Sequence, residues 1–259
     1  MSPPLTAVPA GRRHAWWSAD PYTRALRTGR GPLFLHRADG RLLPLDVERW
    51  CARPDAADLT VLARCGGAVL DVGCGPGRLV TALAEQGRPA LGIDVSGEAV
   101  RRTRRAGGTA LVRSVFESLP REGRWRTALL MDGNIGIGGD PVALLTRMAQ
   151  VVHPAGAVIV ETAPPGTDDD LDELSQVRLD NGAGPHGDTF LWSRVGPLAL
   201  NRHAEAAGWT AVGGWTAGER RFVALRPSTR ATAPGGRRPA AREGAVRAVR
   251  VPGPAGDDG

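Results

Sequence analysis

The sequence predicts an α/β fold in which helices cover both faces of a mostly parallel sheet. From residue 67 onward, short runs rich in β-branched residues alternate with longer segments of helical periodicity, the pattern of a parallel sheet with helical crossovers. A glycine-rich turn at 73–77 stands where one such strand passes into a helix. Hydrophobic residues make up 42% of the 259 residues and charged residues 23%, a composition that supports one folded core.

Five short apolar runs are the predicted parallel strands. They span 68–73, 89–94, 109–114, 127–132 and 156–162, with helices expected at 77–87, 97–107 and 141–152. A further helix is expected at 198–208, and strands at 209–215 and 221–226 add an antiparallel edge to the sheet near the C-terminus. Residues 163–189, which contain the acidic run Asp168–Asp170, are expected to form a loop whose charges face solvent.

The region before the sheet, residues 16–66, is expected to form a cap of short helices and a hairpin. One helix is predicted near its start, and Asp39-Gly40 between two apolar runs predicts a β-hairpin. Asp46 is a suitable N-cap for a second short helix, and either Asp55 or Asp58 for a third. These elements are expected to lie beside the main sheet.

The two ends of the chain are expected to be disordered. Residues 1–15 and the Pro-, Gly- and Arg-rich tail 227–259 hold too few large apolar side chains to offset the entropy of ordering them. The tail carries six arginines against three acidic residues, which is half of the formal net charge of +6. The core is therefore close to neutral, and nucleic-acid binding is not expected.

Composition excludes several other classes of protein. All 33 of the lysine and arginine residues counted together are arginine, so no lysine is present to form a Schiff base. Cys51, Cys65 and Cys74 form no C-x-x-C pair, which argues against a disulfide framework and a metal site and favours a reducing compartment. The sequence contains no run of about 18 apolar residues, so no membrane span is predicted. We expect a cytoplasmic protein.

The glycine-rich turn is the segment most informative about function. Gly73 permits a tight turn, Gly75 lets the backbone approach a ligand, and Gly77 allows close contact between helix and strand. A dinucleotide-binding motif would need glycine or alanine at position 78, where the chain has Arg78. Asp94 ends the next predicted strand, and its carboxylate can accept hydrogen bonds from both hydroxyls of a ribose.

The segment VLDVGCGPG at 69–77 resembles the first motif of the class I S-adenosylmethionine (SAM)-dependent methyltransferases, and the resemblance extends to about residue 162. It implies a Rossmann-like domain over 67–226, with a seven-stranded sheet, that binds SAM and methylates a small-molecule acceptor. In that family the glycine turn follows the amino-acid end of the cofactor and the acid after the second strand holds the ribose. The resemblance assigns cofactor binding to Asp71, Gly73, Cys74, Gly75, Gly77, Asp94, Val95, Ser114, Val115, Asp132, Gly133 and Asn134.

Two stretches depart from patterns found within that family. Residues 113–117 have no acid directly after the third strand, so Ser114, Val115 and their backbone are expected to contact the adenine. The fourth strand is followed by Asp132-Gly133-Asn134, without the N/D-P-P-Y/F or Pro-Cys signatures of nucleic-acid methyltransferases. The acceptor implied is therefore a small molecule.

The acceptor side is expected in residues 16–60 and 163–196, where no motif identifies the acceptor atom. If the acceptor must lose a proton, histidine is the expected base, and the candidates are His36, His186 and His203. His14 and His153 are set aside because of their positions in the chain. Other side chains that either line an acceptor pocket or serve only packing and solubility are Trp16, Trp17, Phe34, Trp192 and Arg194.

Two other functions stay open. One is a regulatory module that binds SAM without turnover. The other is a nicotinamide-dependent oxidoreductase, which Arg78 disfavours and for which the chain lacks a Tyr-x-x-x-Lys pair, since Tyr22 is its only tyrosine.

Overall fold

A seven-stranded sheet forms the centre of the fold in the computed structural model, which describes residues 20–228. The helices of this part of the chain are α1 (Asp20–Thr28), α2 (Val47–Cys51), α3 (Ala56–Leu62), α4 (Arg78–Glu85), α5 (Gly97–Arg105), α6 (Pro141–Val151) and α7 (Pro197–Ala206). Its strands are β1 (Phe34–Arg37), β2 (Leu42–Pro44), β3 (Val69–Val72), β4 (Ala90–Asp94), β5 (Ala110–Val112), β6 (Trp125–Leu130), β7 (Val152–Thr162), β8 (Asp172–Asp180), β9 (Pro185–Val195), β10 (Trp209–Ala217) and β11 (Arg220–Pro227).

The central sheet has the strand order β10-β11-β7-β6-β3-β4-β5. Strands β3 to β7 are parallel, whereas β11 pairs antiparallel with β7 and β10 antiparallel with β11. The predicted mostly parallel sheet with an antiparallel edge is confirmed. Because β3 lies between β4 and β6, the carboxyl ends of these three strands meet at one edge, the usual place for a ligand in open α/β sheets.

Among the predicted strand boundaries, the start of the last parallel strand differs most from the structure. The last parallel strand, predicted to begin at residue 156, begins at Val152, so the segment Pro154–Gly156 lies inside β7. It appears there as a break in pairing with β6, since Trp125 pairs with Val152 but Thr127 pairs with Ala157.

A second sheet corrects the prediction that residues 163–189 are a loop. Strands β8 and β9 form a hairpin in a four-stranded sheet of order β2-β1-β8-β9. Val177 and Leu179 of β8, and Phe190 and Trp192 of β9, are buried at alternate positions. The exposed positions of β8 hold the apolar Leu174 as well as the charged Arg178, and this mixture obscures the alternation typical of half-buried strands. The acidic run 168–170 is exposed, as expected.

The hairpin β1–β2 and the helices α1 and α2 pack with β8 and β9 around one apolar cluster, which we call the cap. The predicted β-hairpin is therefore present, but it completes its sheet with strands from more than a hundred residues downstream. Asp46 accepts from the backbone N–H of Arg49 and caps α2. Asp55, rather than Asp58, is the N-cap of α3, and the two residues form a reciprocal capping box.

Some predictions fall outside residues 20–228, namely the disordered ends, His14, Trp16, Trp17 and the arginine-rich tail. Within the described range, none of the helices has the length and apolar character needed to cross a membrane. No grouping of three or more potential ligand side chains in that range is placed to hold a metal ion. All three cysteines are free.

Candidate active site

The glycine-rich turn connects β3 to α4 in a left-handed backbone conformation. The φ angles are 69° at Gly73 and 83° at Gly77, a region that side-chain-bearing residues rarely adopt. A Cβ on Gly77 would lie 2.4 Å from the Thr103 side chain of α5, and one on Gly73 would lie 2.6 Å from Asn134. Glycine at these two positions is thus required both by conformation and by close packing.

Asn134 supports this turn from the end of the neighbouring strand β6. Its Nδ2 donates to the carbonyls of Val72 at 2.8 Å and Gly73 at 3.0 Å. The two residues before it have left-handed φ angles, 56° at Asp132 and 79° at Gly133. The structure therefore brings Asn134, which the sequence placed in the cofactor site, directly against the glycine turn.

Asp94 joins the turn from the end of β4. Its carboxylate accepts hydrogen bonds from the backbone N–H of Gly75 at 2.9 Å and of Ser96 at 2.8 Å. Burial raises the pKa of Asp94 to about 6, against the effect of these hydrogen bonds. Each carboxylate oxygen can accept a further bond, so Asp94 keeps the capacity to bind a diol.

Asp71, the acid within the turn motif, is buried and is the third of the four residues of β3. Burial raises the pKa of Asp71 to about 7, even though the nearby positive charge of Arg78 acts in the opposite direction. A buried carboxylate with so high a pKa gains ionisation when a cation binds nearby. Asp71 therefore suits a site for a positively charged ligand group.

A buried ion network lies next to the turn, and sequence reasoning missed it. The guanidinium of Arg78 bonds Asp58 through Nε at 2.7 Å and Asp132 through Nη1 at 2.7 Å. Arg220 from β11 bonds the same Asp58 at 2.7 Å and Glu161 at 2.7 Å. In the sequence, Arg78 indicates only that the turn is not a dinucleotide-binding motif, because a linear motif does not reveal the distant acids that surround this side chain.

The carboxylate of Asp132 is directed into this network. Besides Arg78, it contacts Nη2 of Arg49 on α2 at 2.8 Å. Burial opposes its ionisation, but the charges of Arg78 and Arg49 hold the pKa of Asp132 well below its usual value. Asp132 thus connects the carboxyl edge of the central sheet to the cap.

The residues after β5, the third parallel strand in chain order, lie where adenine is expected to bind. Ser114 and Val115 are both buried, and Val95 after β4 is half-buried. The Ser114 N–H donates to the carboxylate of Glu117 at 2.9 Å. The strand has no acid directly after it, but Glu117, three residues after Ser114, places its carboxylate against the Ser114 backbone N–H.

Cys74 packs inside rather than toward a ligand. Its side chain is buried against Gly92, whose Cβ would lie 2.6 Å from the sulfur. Burial raises the pKa of the Cys74 thiol well above its usual value, so the side chain is a poor nucleophile. Only its backbone belongs to the turn.

Tyr22 of α1 is a second residue of the site that sequence reasoning did not assign. Its hydroxyl lies 3.8 Å from the position of a Cβ on Gly75, and its ring is buried. Burial, and after it the negative charge of Asp94, raises the pKa of Tyr22 well above its usual value. The sequence feature that could have identified Tyr22 is that it is the only tyrosine of the chain and lies near the start of the cap.

The three candidate histidines are not brought together, since His36 and His186 lie in strands of the second sheet and His203 lies on α7. His36 on β1 contacts the buried carboxylate of Asp180 at 2.9 Å. His203 on α7 contacts Asp172 at 2.9 Å, and the exposed His186 contacts Asn181 at 3.1 Å. Each has a structural partner of its own.

Trp192 is buried in the cap and packs edge-to-face with Phe190. A Cβ on Gly136, in the 3-10 helix Asn134–Gly139, would lie 2.8 Å from the indole of Trp192. Phe34 is half-buried, and Arg194 pairs with Glu173 at 3.0 Å. The cap thus packs directly on the segment that follows β6.

Residues 69–156 match a protein family described as Methyltransferase domain. No curated protein matches the sequence of the chain. Among solved structures, a SAM-dependent methyltransferase from Bacteroides fragilis, in complex with S-adenosyl-L-homocysteine, is similar with a TM-score of 0.66 at 20% identity, over 86% of this chain and 98% of that one.

Two further structures share the fold. The CcbJ methyltransferase from Streptomyces caelestis has a TM-score of 0.52 at 15% identity, over 69% of this chain and 92% of that one. The 1,6-didemethyltoxoflavin-N1-methyltransferase of Burkholderia thailandensis, with bound 1,6-didemethyltoxoflavin and S-adenosylhomocysteine, has a TM-score of 0.50 at 20% identity, over 66% and 76% of the two chains.

Proposed function

We propose that the chain transfers a methyl group from SAM to a small molecule, because residues 69–156 match the family described as Methyltransferase domain and the fold is similar to that of a SAM-dependent methyltransferase. The observation that carries the cofactor assignment is the left-handed glycine turn with Asp94 bonded to its backbone. Together they place a backbone without Cβ atoms at its glycines and a carboxylate at the carboxyl end of parallel strands. The family match leaves the oxidoreductase alternative without support.

The residues present fit SAM in shape and charge. Gly75 has no Cβ to obstruct a ligand, and Asp94 can accept from the two ribose hydroxyls. Val95 and the buried pair Ser114 and Val115 offer an apolar setting for adenine. Asp71, with a pKa raised to about 7 by burial, supplies negative charge for the cationic end of the cofactor.

Bound SAM supplies an electrophilic methyl carbon and a neutral leaving group. The residues of the chain then have to orient the acceptor in line with that carbon and to exclude water. Tyr22 and the cap cover the glycine turn, and the ion network fixes the end of β6. For an acceptor that loses a proton, His36 is our candidate base, because the carboxylate of Asp180 fixes its ring.

A small molecule is the acceptor we propose, bound between the cap and the carboxyl edge of the central sheet. The chain has no nucleic-acid methyltransferase signature after β6. The similar Burkholderia enzyme was crystallised with the small molecule 1,6-didemethyltoxoflavin. The three free cysteines suit a reducing compartment, and a cytoplasmic location is part of the proposal.

The test is a titration of the purified protein with SAM, S-adenosylhomocysteine and NADPH by calorimetry. We expect the first two to bind and Asp94→Ala to weaken both by at least tenfold, since two charge-assisted hydrogen bonds are lost. Glu205→Ala, which removes an exposed carboxylate from α7, is the matched control and should bind normally.

Incubation of the protein and SAM with a panel of hydroxyl, amine and carbon acceptors then tests turnover by mass spectrometry. Methylation of a panel member supports the enzyme. Binding of NADPH without SAM would overturn the cofactor assignment, and SAM binding with no methylated product across the panel would favour a regulatory module.

A further inference from the structure

The guanidinium of Arg49, on the cap helix α2, is only partly satisfied by the protein. Its Nε donates to Asp46 at 3.2 Å, and its Nη2 lies 2.8 Å from the carboxylate of Asp132. Its Nη1 is buried and has no hydrogen-bond partner among the described residues. An unpaired buried donor on a charged group is costly, so this nitrogen calls for an acceptor from outside the chain.

The position of Arg49 indicates where that acceptor lies. Asp132, its partner, follows β6 at the carboxyl edge of the central sheet. Asn134, two residues later, donates to the carbonyls of Val72 and Gly73 in the glycine turn. The unpaired nitrogen is therefore anchored on the side of the pocket where the turn meets the end of β6.

A second unpaired donor stands on the adjacent residue. The indole Nε1 of Trp50 is also buried without a partner among residues 20–228. The ring of Trp50 packs edge-to-face on Tyr22, with 6.4 Å between centroids, and the Tyr22 hydroxyl approaches Gly75. Both unmatched groups are donors, and both belong to the part of the cap that covers the turn.

We propose that Arg49 binds the carboxylate of the methionyl end of SAM, an inference that rests on the proposed function. That carboxylate is the only anionic group of SAM. Among the other charged side chains bordering the turn, Asp71 and Asp94 are acids that suit the cationic and hydroxyl groups of the cofactor, and the guanidinium of Arg78 is already bonded to Asp58 and Asp132. A planar guanidinium can bind carboxylates on two edges at once, here Asp132 on one edge and the cofactor on the other.

In this proposal the buried ion network holds Arg49 in place. Arg78 holds Asp132 from one side while Arg49 holds it from the other. Asp132 is thereby a positioning residue, which aims Arg49 toward the ligand and need not touch the ligand itself. This explains why an acid expected in the cofactor site directs its carboxylate into the protein.

The test compares two ligands that differ in the group Arg49 is proposed to bind. S-adenosylhomocysteine has the amino-acid end, whereas 5′-methylthioadenosine lacks it. By calorimetry, we expect Arg49→Met to weaken S-adenosylhomocysteine about ten- to a hundredfold, the usual worth of a charge-assisted hydrogen bond, and to leave methylthioadenosine within about twofold. Arg53→Met, an exposed arginine of the same segment, should change neither affinity.

Arg49→Lys keeps the charge and loses the planar fork, so it should give an intermediate loss for S-adenosylhomocysteine alone. It decides the question if Arg49→Met does not fold, which thermal unfolding checks. Equal weakening of both ligands, or no weakening of either, would overturn the proposal while leaving the cofactor assignment intact. If the unmodified protein binds neither ligand, the proposed function fails first and the role of Arg49 fails with it.

Discussion

The edge of the central sheet and the cap each contain an arginine–carboxylate ion pair, and the two pairs differ in how deeply they are buried. At the sheet edge, Arg78 and Asp58 are almost completely buried and bonded to each other. In the cap, Arg194 and Glu173 also form an ion pair, but about a third of each side chain is exposed, 33% and 29%. Buried charges fix a geometry at the risk of a large loss when one is removed, whereas exposed pairs contribute little.

Removal of the deeply buried arginine Arg78 should lower the stability of the protein more than any other change proposed below. Arg78→Met leaves Asp58 and Asp132 buried without their shared cation, and it should lower the free energy of unfolding by about 3–5 kcal/mol. Arg194→Met in the cap should cost less than about 1 kcal/mol. Urea unfolding of both variants measures the difference, and similar losses would show that burial does not separate the two regions.

A smaller effect is expected at two left-handed glycines, one in each region. Gly77→Ala adds a Cβ at 2.4 Å from Thr103, while Gly40 in the cap hairpin has a similar φ of 82° and no atom within 4 Å. Gly40→Ala should cost about 1–2 kcal/mol for the backbone alone. Gly77→Ala should cost about 1–3 kcal/mol more for the steric clash.

The double variant Gly77→Ala with Thr103→Ala isolates the steric part of the Gly77 effect. Removal of the Thr103 side chain should relieve the clash, so the double variant should lose less unfolding free energy than the sum of the two single losses in a double-mutant cycle. Strictly additive losses would mean that the clash is relieved in another way.

The smallest effect is the pH dependence of cofactor binding. The pKa of Asp94 is raised to about 6 and that of Asp71 to about 7, so both become protonated in the free protein as the pH falls through this range. Ligand binding favours their ionised forms, so affinity for S-adenosylhomocysteine should fall by up to about tenfold per pH unit from about 7 to 6, where Asp71 becomes protonated, and more steeply below about 6, where Asp94 becomes protonated as well. Calorimetry between pH 5 and 8 measures it.

Two variants assign this pH dependence to a region. Asp94→Asn should bind weakly at every pH and lose the dependence near pH 6. Asp180→Asn in the cap should retain it, because His36 and the backbone N–H groups that Asp180 accepts from keep the pKa of Asp180 below its usual value. An unchanged slope in Asp94→Asn would assign the titration to another group.

The cap was less predictable than the sheet for a physical reason. Strand β1 was expected as part of a local hairpin with β2, and that pairing is present. Its other edge pairs with β8, where Phe34 lies opposite Asp180. A partner so distant in sequence leaves no periodic signal, and the mixture of apolar and charged residues at the exposed positions of β8 hid its alternation.

The order of strands and helices around the glycine turn could be read from the amino-acid sequence, because turn chemistry and hydrophobic periodicity are properties of short segments. The placement of Asp94 and Asn134 in one site was predicted in the same way. Which charges are buried together depends instead on contacts between elements that are distant in the chain. Arg78, Asp58 and Arg220 meet from three separate elements. The burial that raises the pKa of Asp71 and the buried, unpaired Nη1 of Arg49 among the described residues also result from packing between distant elements, which no local sequence pattern encodes.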